Sequence, residues 1–291
     1  MCLRRKFITK GRYKNMTKPL LHTTRIGIAV IITLLMFFPI YWMLITALKT
    51  PAELRMSSPT FWPDKVMWEN FATAFKAIPF YRFTLNTVIQ TVGIVFLQIN
   101  IGLMAAYAFA KGTFPGRDKL FALVLAALIV PEQVVFVPVY VLMSKLNWIN
   151  TYYALIIPHA ASAYGIFLLR QMFRSINNDV IEAAKVDGAN RVQVLYKILT
   201  PMAMPTVSTL AVISFISSWN AYFWPLIMTN SNKMRVLTVG ISMMRDSIAG
   251  DEALNMHIIM SASVLIILPI VVLFIFAQKY IVAAMANSTF K

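Results

Sequence analysis

Apolar and polar positions alternate coarsely along this chain: six runs of 18 to 26 residues, almost free of charge, are separated by short polar stretches. A helix needs about 20 apolar residues to cross the hydrocarbon core of a bilayer, so each run predicts a span. The runs lie at about 26–48, 85–110, 120–143, 152–169, 203–228 and 258–278, and only the third holds a charge, Glu132. The expected fold class is therefore an all-α membrane protein with six transmembrane helices. Its expected organisation is a basic segment over 1–25, a transmembrane domain over 26–280 and a tail over 281–291. The first run, at 23 residues, is longer than a signal-peptide core and lacks a small-x-small cleavage site, so it reads as an uncleaved span.

Prolines punctuate the runs at Pro39, Pro131, Pro138, Pro158, Pro225 and Pro269. Each removes a backbone donor and tends to kink its helix, which the bilayer tolerates where neighbouring helices or a water-filled cavity satisfy the freed carbonyls. Kinked spans favour a transporter or channel over a simple anchor, although proline is also enriched in membrane helices generally.

One stretch breaks the apolar pattern. Over 182–192 the chain reads EAAKVDGANRV, four charges in eleven residues. Val180, Ile181 and Ala184 recur at helical spacing while Glu182 and Lys185 face away, which predicts a short amphipathic helix over 178–186. Asn177 or Asn178 suits its start and Gly188 its end. Asn190 can cap a second helix, with Val192, Leu195, Tyr196 and Leu199 on one face, before Pro201 stops or kinks it. Helices this short are unstable alone in water, so they must pack on something. A partner's groove and the membrane surface are both open on this reading.

Composition narrows the class. The chain is 59% hydrophobic and only 13% charged, well below the quarter usual in soluble domains. Cys2 is the lone cysteine, and His22, His159 and His257 are too scattered for metal ligation, so no metal or redox site is expected. The net charge of +16 is accounted for by orientation: 18 of the 27 Lys and Arg fall on one side if both termini are cytoplasmic, which also places 182–192 there. No basic and aromatic module points to nucleic acid. Neither paired acids nor a nucleophile with its base is present, so no catalytic residue and no cofactor is expected.

Within the spans, the second carries Asn86, Gln90, Gln98 and Asn100 inside an arc of about 160°. Amides in hydrocarbon need partners, so this face meets either other helices or a polar cavity. Glu132, flanked by Pro131 and Gln133, is a functional candidate because a charge inside a span is costly. Near the end of the fifth run lie Phe215, Trp219, Asn220, Tyr222, Phe223 and Trp224, either an interfacial aromatic belt or rings and an amide lining a substrate path. Asn86, Gln90, Glu132, Gln133, Trp219, Asn220 and Tyr222 are the candidate path residues. A proton-coupled carrier using Glu132 and a non-transporting scaffold are the readings outside the class favoured next.

The stretch EAAKVDGANRVQVLYKILTPMAMP resembles the EAA motif of binding-protein-dependent ABC importer permeases. Glu182, Ala183, Ala184, Asp187, Gly188, Ala189, Ile198, Pro201 and Pro205 stand in the pattern's places. Thr200 stands where leucine is expected, and Asn178 where proline is frequent. The resemblance extends through IVPEQVVFVPVYVLMSKLNWINTYYALIIP, YGIFLLRQMF and SFISSWNAYFWPL to roughly residues 30–285, and is greatest to the MalG-like carbohydrate permeases. It implies a MetI-like permease fold in the inner membrane and a cytoplasmic coupling segment over about 177–200. In that segment Glu182, Ala183, Ala184, Asp187 and Gly188 would dock on an ATP-binding subunit. No Gly-Lys dipeptide, and hence no P-loop, occurs in the chain. The resemblance thus implies two copies of a partner ATPase, a second, MalF-like permease and an extracytoplasmic solute-binding protein facing the loop over 229–257. It also implies a sugar substrate, or alternatively glycerol 3-phosphate or glycerophosphodiesters, and a tail that reaches the ATPases.

Overall fold

The computed structural model describes residues 5–247 and 252–289, with side chains over 24–244, 255–276 and at 278. The side chains of the basic segment up to residue 23, of Arg245, Asp246, Asp251 and Glu252, and of the tail over 281–291 lie outside the described residues. Among the described residues every regular element is helical. The chain divides into two compact units, Met1–Ala74 with Ala249–Val264, and Phe75–Ile248 with Leu265–Lys291.

In the first unit, helix α1 (Arg5–Ala47) ends where other segments take up its free carbonyls. Asn70 Nδ2 donates to the carbonyls of Ala47 and Lys49, both at 2.9 Å, and Ser261 Oγ donates to Ala47 O at 3.1 Å. Helix α2 (Pro51–Leu54) opens with a capping box in which Thr50 and Glu53 serve each other's backbone N–H. Glu53 also accepts from the Asp64 N–H at 2.7 Å. Burial works to raise its pKa, but these donors and nearby Lys49 hold it below the ordinary glutamate value.

The second unit is organised on one long helix. After α3 (Glu69–Ala77), α4 (Phe80–Lys111) runs unbroken, and α7 (Tyr152–Ile156), α8 (Ala163–Ser175), α12 (Met204–Trp219) and α14 (Leu237–Ser247) pack on it. Contact is close where residues are small: a Cβ at Gly165 would stand 2.9 Å from the Leu210 side chain. Leu103, Leu169, Leu199 and Leu210 form the centre of the largest apolar cluster.

Among the described residues three helical stretches are unbroken and apolar enough to cross a membrane: Thr24–Ala47, Phe80–Lys111 and Asn255–Phe276, the last inside α15 (Glu252–Thr289). Two bent pairs raise the count to five, Tyr152–His159 with Ala163–Ser175 at 42° and Arg191–Met202 with Met204–Trp219 at 85°. The expected third span differs: it is two helices, α5 (Arg117–Ala126) and α6 (Glu132–Lys145), of only ~15 and ~21 Å at 1.5 Å per residue. Pro131 begins α6 from an extended conformation, so helix cannot continue through it. The fifth run is likewise divided, into α12 and α13 (Phe223–Met228), by a break at 220–222. Pro158 sits in a tight turn at Ile157–His159, while Pro138 and Pro269 are carried inside helices.

Candidate functional site

The polar segment folds as helix α9 (Asn178–Val186), begun by Asn177, whose side chain accepts the Asp179 N–H. Its end is a Schellman turn. The Ala189 N–H bonds Ala184 O at 2.9 Å, the Gly188 N–H bonds Lys185 O at 3.0 Å, and Gly188 takes φ +83°, a left-handed conformation that favours glycine. Asn190 and Gln193 then form a capping box that begins α10 (Arg191–Gln193).

Beyond α10 the predicted face is altered. Val194–Leu199 is a wider π-type turn, so Val194, Leu195 and Leu199 are buried while Val192 stays exposed. Thr200 Oγ1, where the family pattern expects leucine, donates to Leu195 O at 2.8 Å, five residues back. The chain then passes through α11 (Thr200–Met202) into α12.

The segment is anchored from its buried side. Ile181 and Ala184 join the core cluster with Phe173 and Leu195, so the support that short helices need comes from within the chain. Lys111, at the end of α4, donates from Nζ to Ile176 O and to Asn178 Oδ1, both at 2.6 Å. Asn178, standing where the pattern often has proline, supplies that acceptor. Nearby, buried Arg170 lies 3.8 Å over the Phe121 ring and donates to Phe109 O at 3.2 Å. Asp118 is held below the usual carboxylate range by its hydrogen bond to Arg117. Glu182, Ala183, Asp187 and Gly188 are exposed, whereas Ala184 is buried; Val186 is 87% exposed.

A cavity of about 550 Å³ lies among α4, α6, α8, α12 and the breaks that follow α7 and α12. Gln90, Glu132, Gln133 and Tyr222 line it, four of the seven candidate path residues. The other three do not. Asn86 is fully buried, donating to Lys233 O and Arg235 O at 3.0 and 2.8 Å and accepting from Tyr152 O–H at 2.7 Å. Trp219 is buried with Nε1 on Ile266 O at 3.0 Å, and Asn220 turns back to Ile216 O at 2.9 Å. Those roles are helix-to-helix and local bonding.

Glu132 begins α6, where the unpaired N–H groups and helix dipole favour a negative charge. Its carboxylate is 4.0 Å from His159 Nδ1. His159 stands edge-on to Trp224, with centroids 5.1 Å apart, and Trp224 is fixed by Nε1 donating to Ala154 O at 2.8 Å. His159, Ser214, Ser217 and Ser218 also line the cavity and were not among the sequence candidates for the path, whereas Trp224 belongs to the aromatic cluster that was. The serines carried a signal: three hydroxyls at i, i+3 and i+4 in the fifth run put a polar stripe on an otherwise apolar helix. Among the described residues no three or more His, Cys, Asp or Glu gather as metal ligands.

Residues 98–287 match the family described as binding-protein-dependent transport system inner membrane component. The arabinooligosaccharides transport system permease protein AraQ of Halalkalibacterium halodurans is 31% identical over 276 residues, 94% of this chain and 97% of that protein. The sn-glycerol-3-phosphate transport system permease protein UgpE of Yersinia pestis is 29% identical, over 88% of this chain and 92% of its own. A chain in the crystal structure of a bacterial ABC transporter involved in the import of the acidic polysaccharide alginate superimposes with a TM-score of 0.82. It is 22% identical, and the match covers 91% of this chain and 98% of that one, a likeness of fold.

Proposed function

The chain belongs to the binding-protein-dependent transport system inner membrane components, non-catalytic multi-pass proteins of the cell membrane, and from this we propose that it is one permease subunit of a sugar-importing ABC transporter. In this reading it forms half of the translocation path beside a second, MalF-like permease. Two copies of an ABC ATPase hydrolyse ATP on the cytoplasmic side, and a solute-binding protein delivers the sugar from outside. Nucleotide-driven closure of the ATPases moves α9 and shifts the spans between two states.

The observation that carries the proposal is the division of labour on α9. Its Ile181 and Ala184 face is used internally, yet an edge bearing Ala183, Val186 and Asp187 is left in solvent on a firmly capped helix. A valine 87% exposed beside a small residue suits a groove on a partner. The arabinooligosaccharide relative supports a sugar as substrate. A glycerol phosphate importer is the second reading, favoured by the Yersinia relative.

The test is Val186→Asp in the coexpressed complex. Because the side chain touches little of its own chain, the variant should reach the membrane at wild-type levels, lose the ATPase on purification and lose sugar uptake. Full retention of the ATPase would refute the docking role.

A further inference from the structure

The connection that follows α1 is fastened by its backbone and turns its largest side chains outward. Tyr41 Oη donates to Phe61 O and Lys49 Nζ to Thr60 O, both at 2.5 Å, Glu53 accepts the Asp64 N–H at 2.7 Å, and the Met67 N–H bonds Leu48 O at 2.9 Å. Residues 60–67 are thus a strap tied to the end of α1. The aromatic side chains take little part in the tying: Phe61, Trp62 and, just beyond, Trp68 are 61, 69 and 70% exposed.

The tied positions fix how far the strap reaches back along the span. Thr24–Ala47 is about 36 Å long at 1.5 Å per residue, slightly more than the ~30 Å of hydrocarbon, so Ala47 lies at the headgroups. Tyr41 and Trp42 both meet Phe61, and they stand about 9 and 8 Å before Ala47 along the helix axis. The strap therefore lies beside the last turns of α1 rather than beyond them. Its exposed rings also continue the apolar flank of the span: Phe38, half exposed, stacks on Trp42 with centroids 6.1 Å apart, and Trp42 meets Phe61 edge-on at 6.0 Å.

We propose that this strap seats on lipid in the leaflet where α1 ends, the outer leaflet if both termini are cytoplasmic, with Phe61 and Trp62 at the acyl boundary and Trp68 among the headgroups. Tryptophan suits that level, because its ring covers apolar area while its N–H stays near water and lipid carbonyls. Exposed Arg55 and Lys65 flank the rings and are long enough to reach lipid phosphates. A soluble protein docking from outside meets what stands beyond the headgroups, whereas Phe61 is tied below the end of α1. The seat sets the depth of α1 in the bilayer and withdraws this connection from the surface open to a solute-binding protein.

The experiment places a nitroxide at Trp62→Cys, at Trp68→Cys or, as a mid-span reference, at Leu35→Cys. Each is made on a Cys2→Ser chain, since Cys2 is the lone cysteine, and coexpressed with cysteine-free partners. The complex is reconstituted in nanodiscs of phosphatidylethanolamine and phosphatidylglycerol. Collisions of the label with oxygen, which concentrates in lipid, are compared with collisions with a water-soluble nickel chelate. The ratio of oxygen to nickel collisions should fall in the order Leu35, Trp62, Trp68, with oxygen dominant at Trp62. Dominance of nickel at Trp62 would put the strap in water, and few collisions with either reagent would put it beneath a protein partner; each overturns the proposal. A second measurement leaves the label out. Trp62→Asp removes little packing within the chain, yet by lifting the strap off the lipid it should quicken hydrogen exchange over 60–67 about tenfold. Exchange unchanged from the wild type would show that lipid does not hold the strap, and would overturn the seat.

Discussion

Gly188 separates two reasons why a residue in the proposed coupling segment can matter. Its φ of +83° closes the Schellman turn, and a Cβ built there meets nothing within 4 Å. Substitution therefore costs backbone strain and no packing. For alanine the left-handed conformation costs roughly 1–2 kcal/mol, while asparagine adopts it more readily and loses less. The order of folding stability should be Gly, then Asn, then Ala, with melting points spanning a few degrees. Docking should follow a different order. The side chain projects from an exposed corner beside Ala183 and Asp187, where a partner surface would close, and asparagine places three more heavy atoms there than alanine does. Copurification with the ATPase and sugar-stimulated ATP hydrolysis should fall from Gly to Ala to Asn, with Gly188→Asp, equal in size and charged, at or below Asn. If ATPase retention instead tracks the melting points, the corner acts only through the turn it closes, and the argument for contact there fails.

Lys111→Met removes two charge-assisted bonds, a part-buried one to Ile176 O and an exposed one to Asn178 Oδ1, together worth about 1–3 kcal/mol. Hydrogen exchange over 176–180 should quicken and sugar-stimulated ATP hydrolysis should drop while basal hydrolysis persists; unchanged exchange would show that the link does not hold the segment. Asn150 takes φ 63° and its Oδ1 accepts the Asn230 and Ser231 N–H groups and the Ser231 hydroxyl. Asn150→Ala should lower thermal stability by about 1 kcal/mol more than Asn150→Gly, since both lose the bonds and alanine alone adds left-handed strain; equal losses would remove strain from the account.

The polar segment around α9 was legible in the sequence because its signals are local. Asn177, Gly188 and Asn190 mark helix ends by side-chain and backbone preferences that do not depend on the rest of the fold, and the observed α9 begins and ends as they dictate. What was not legible depended on distant partners. Apolar periodicity places Val192 on the buried face, but the π-type turn shifts the register by a fraction of a turn and exposes it. Over 120–143 the polar run Pro131–Glu132–Gln133 marks an irregularity, but its sequence does not separate a kinked span from the two helices observed. Polarity alone could not sort Asn86 from Gln90, two amides four residues apart on one helix. Lys233 O, Arg235 O and Tyr152 use up the first, and only the fold reveals that the second is left with an open acceptor.

Helix α4 joins the two places discussed above, and its length has a mechanical consequence. Lys111 and Gln90 stand 21 residues apart on one unbroken helix, about 32 Å along its axis at 1.5 Å per residue. A rod of that length multiplies angle into distance: a tilt of about 10° pivoting near Lys111 sweeps Gln90 through about 5 Å. Such a displacement is on the scale of a single sugar ring, so a modest rotation gripped at one end is enough to open or withdraw a hydrogen-bonding position at the other.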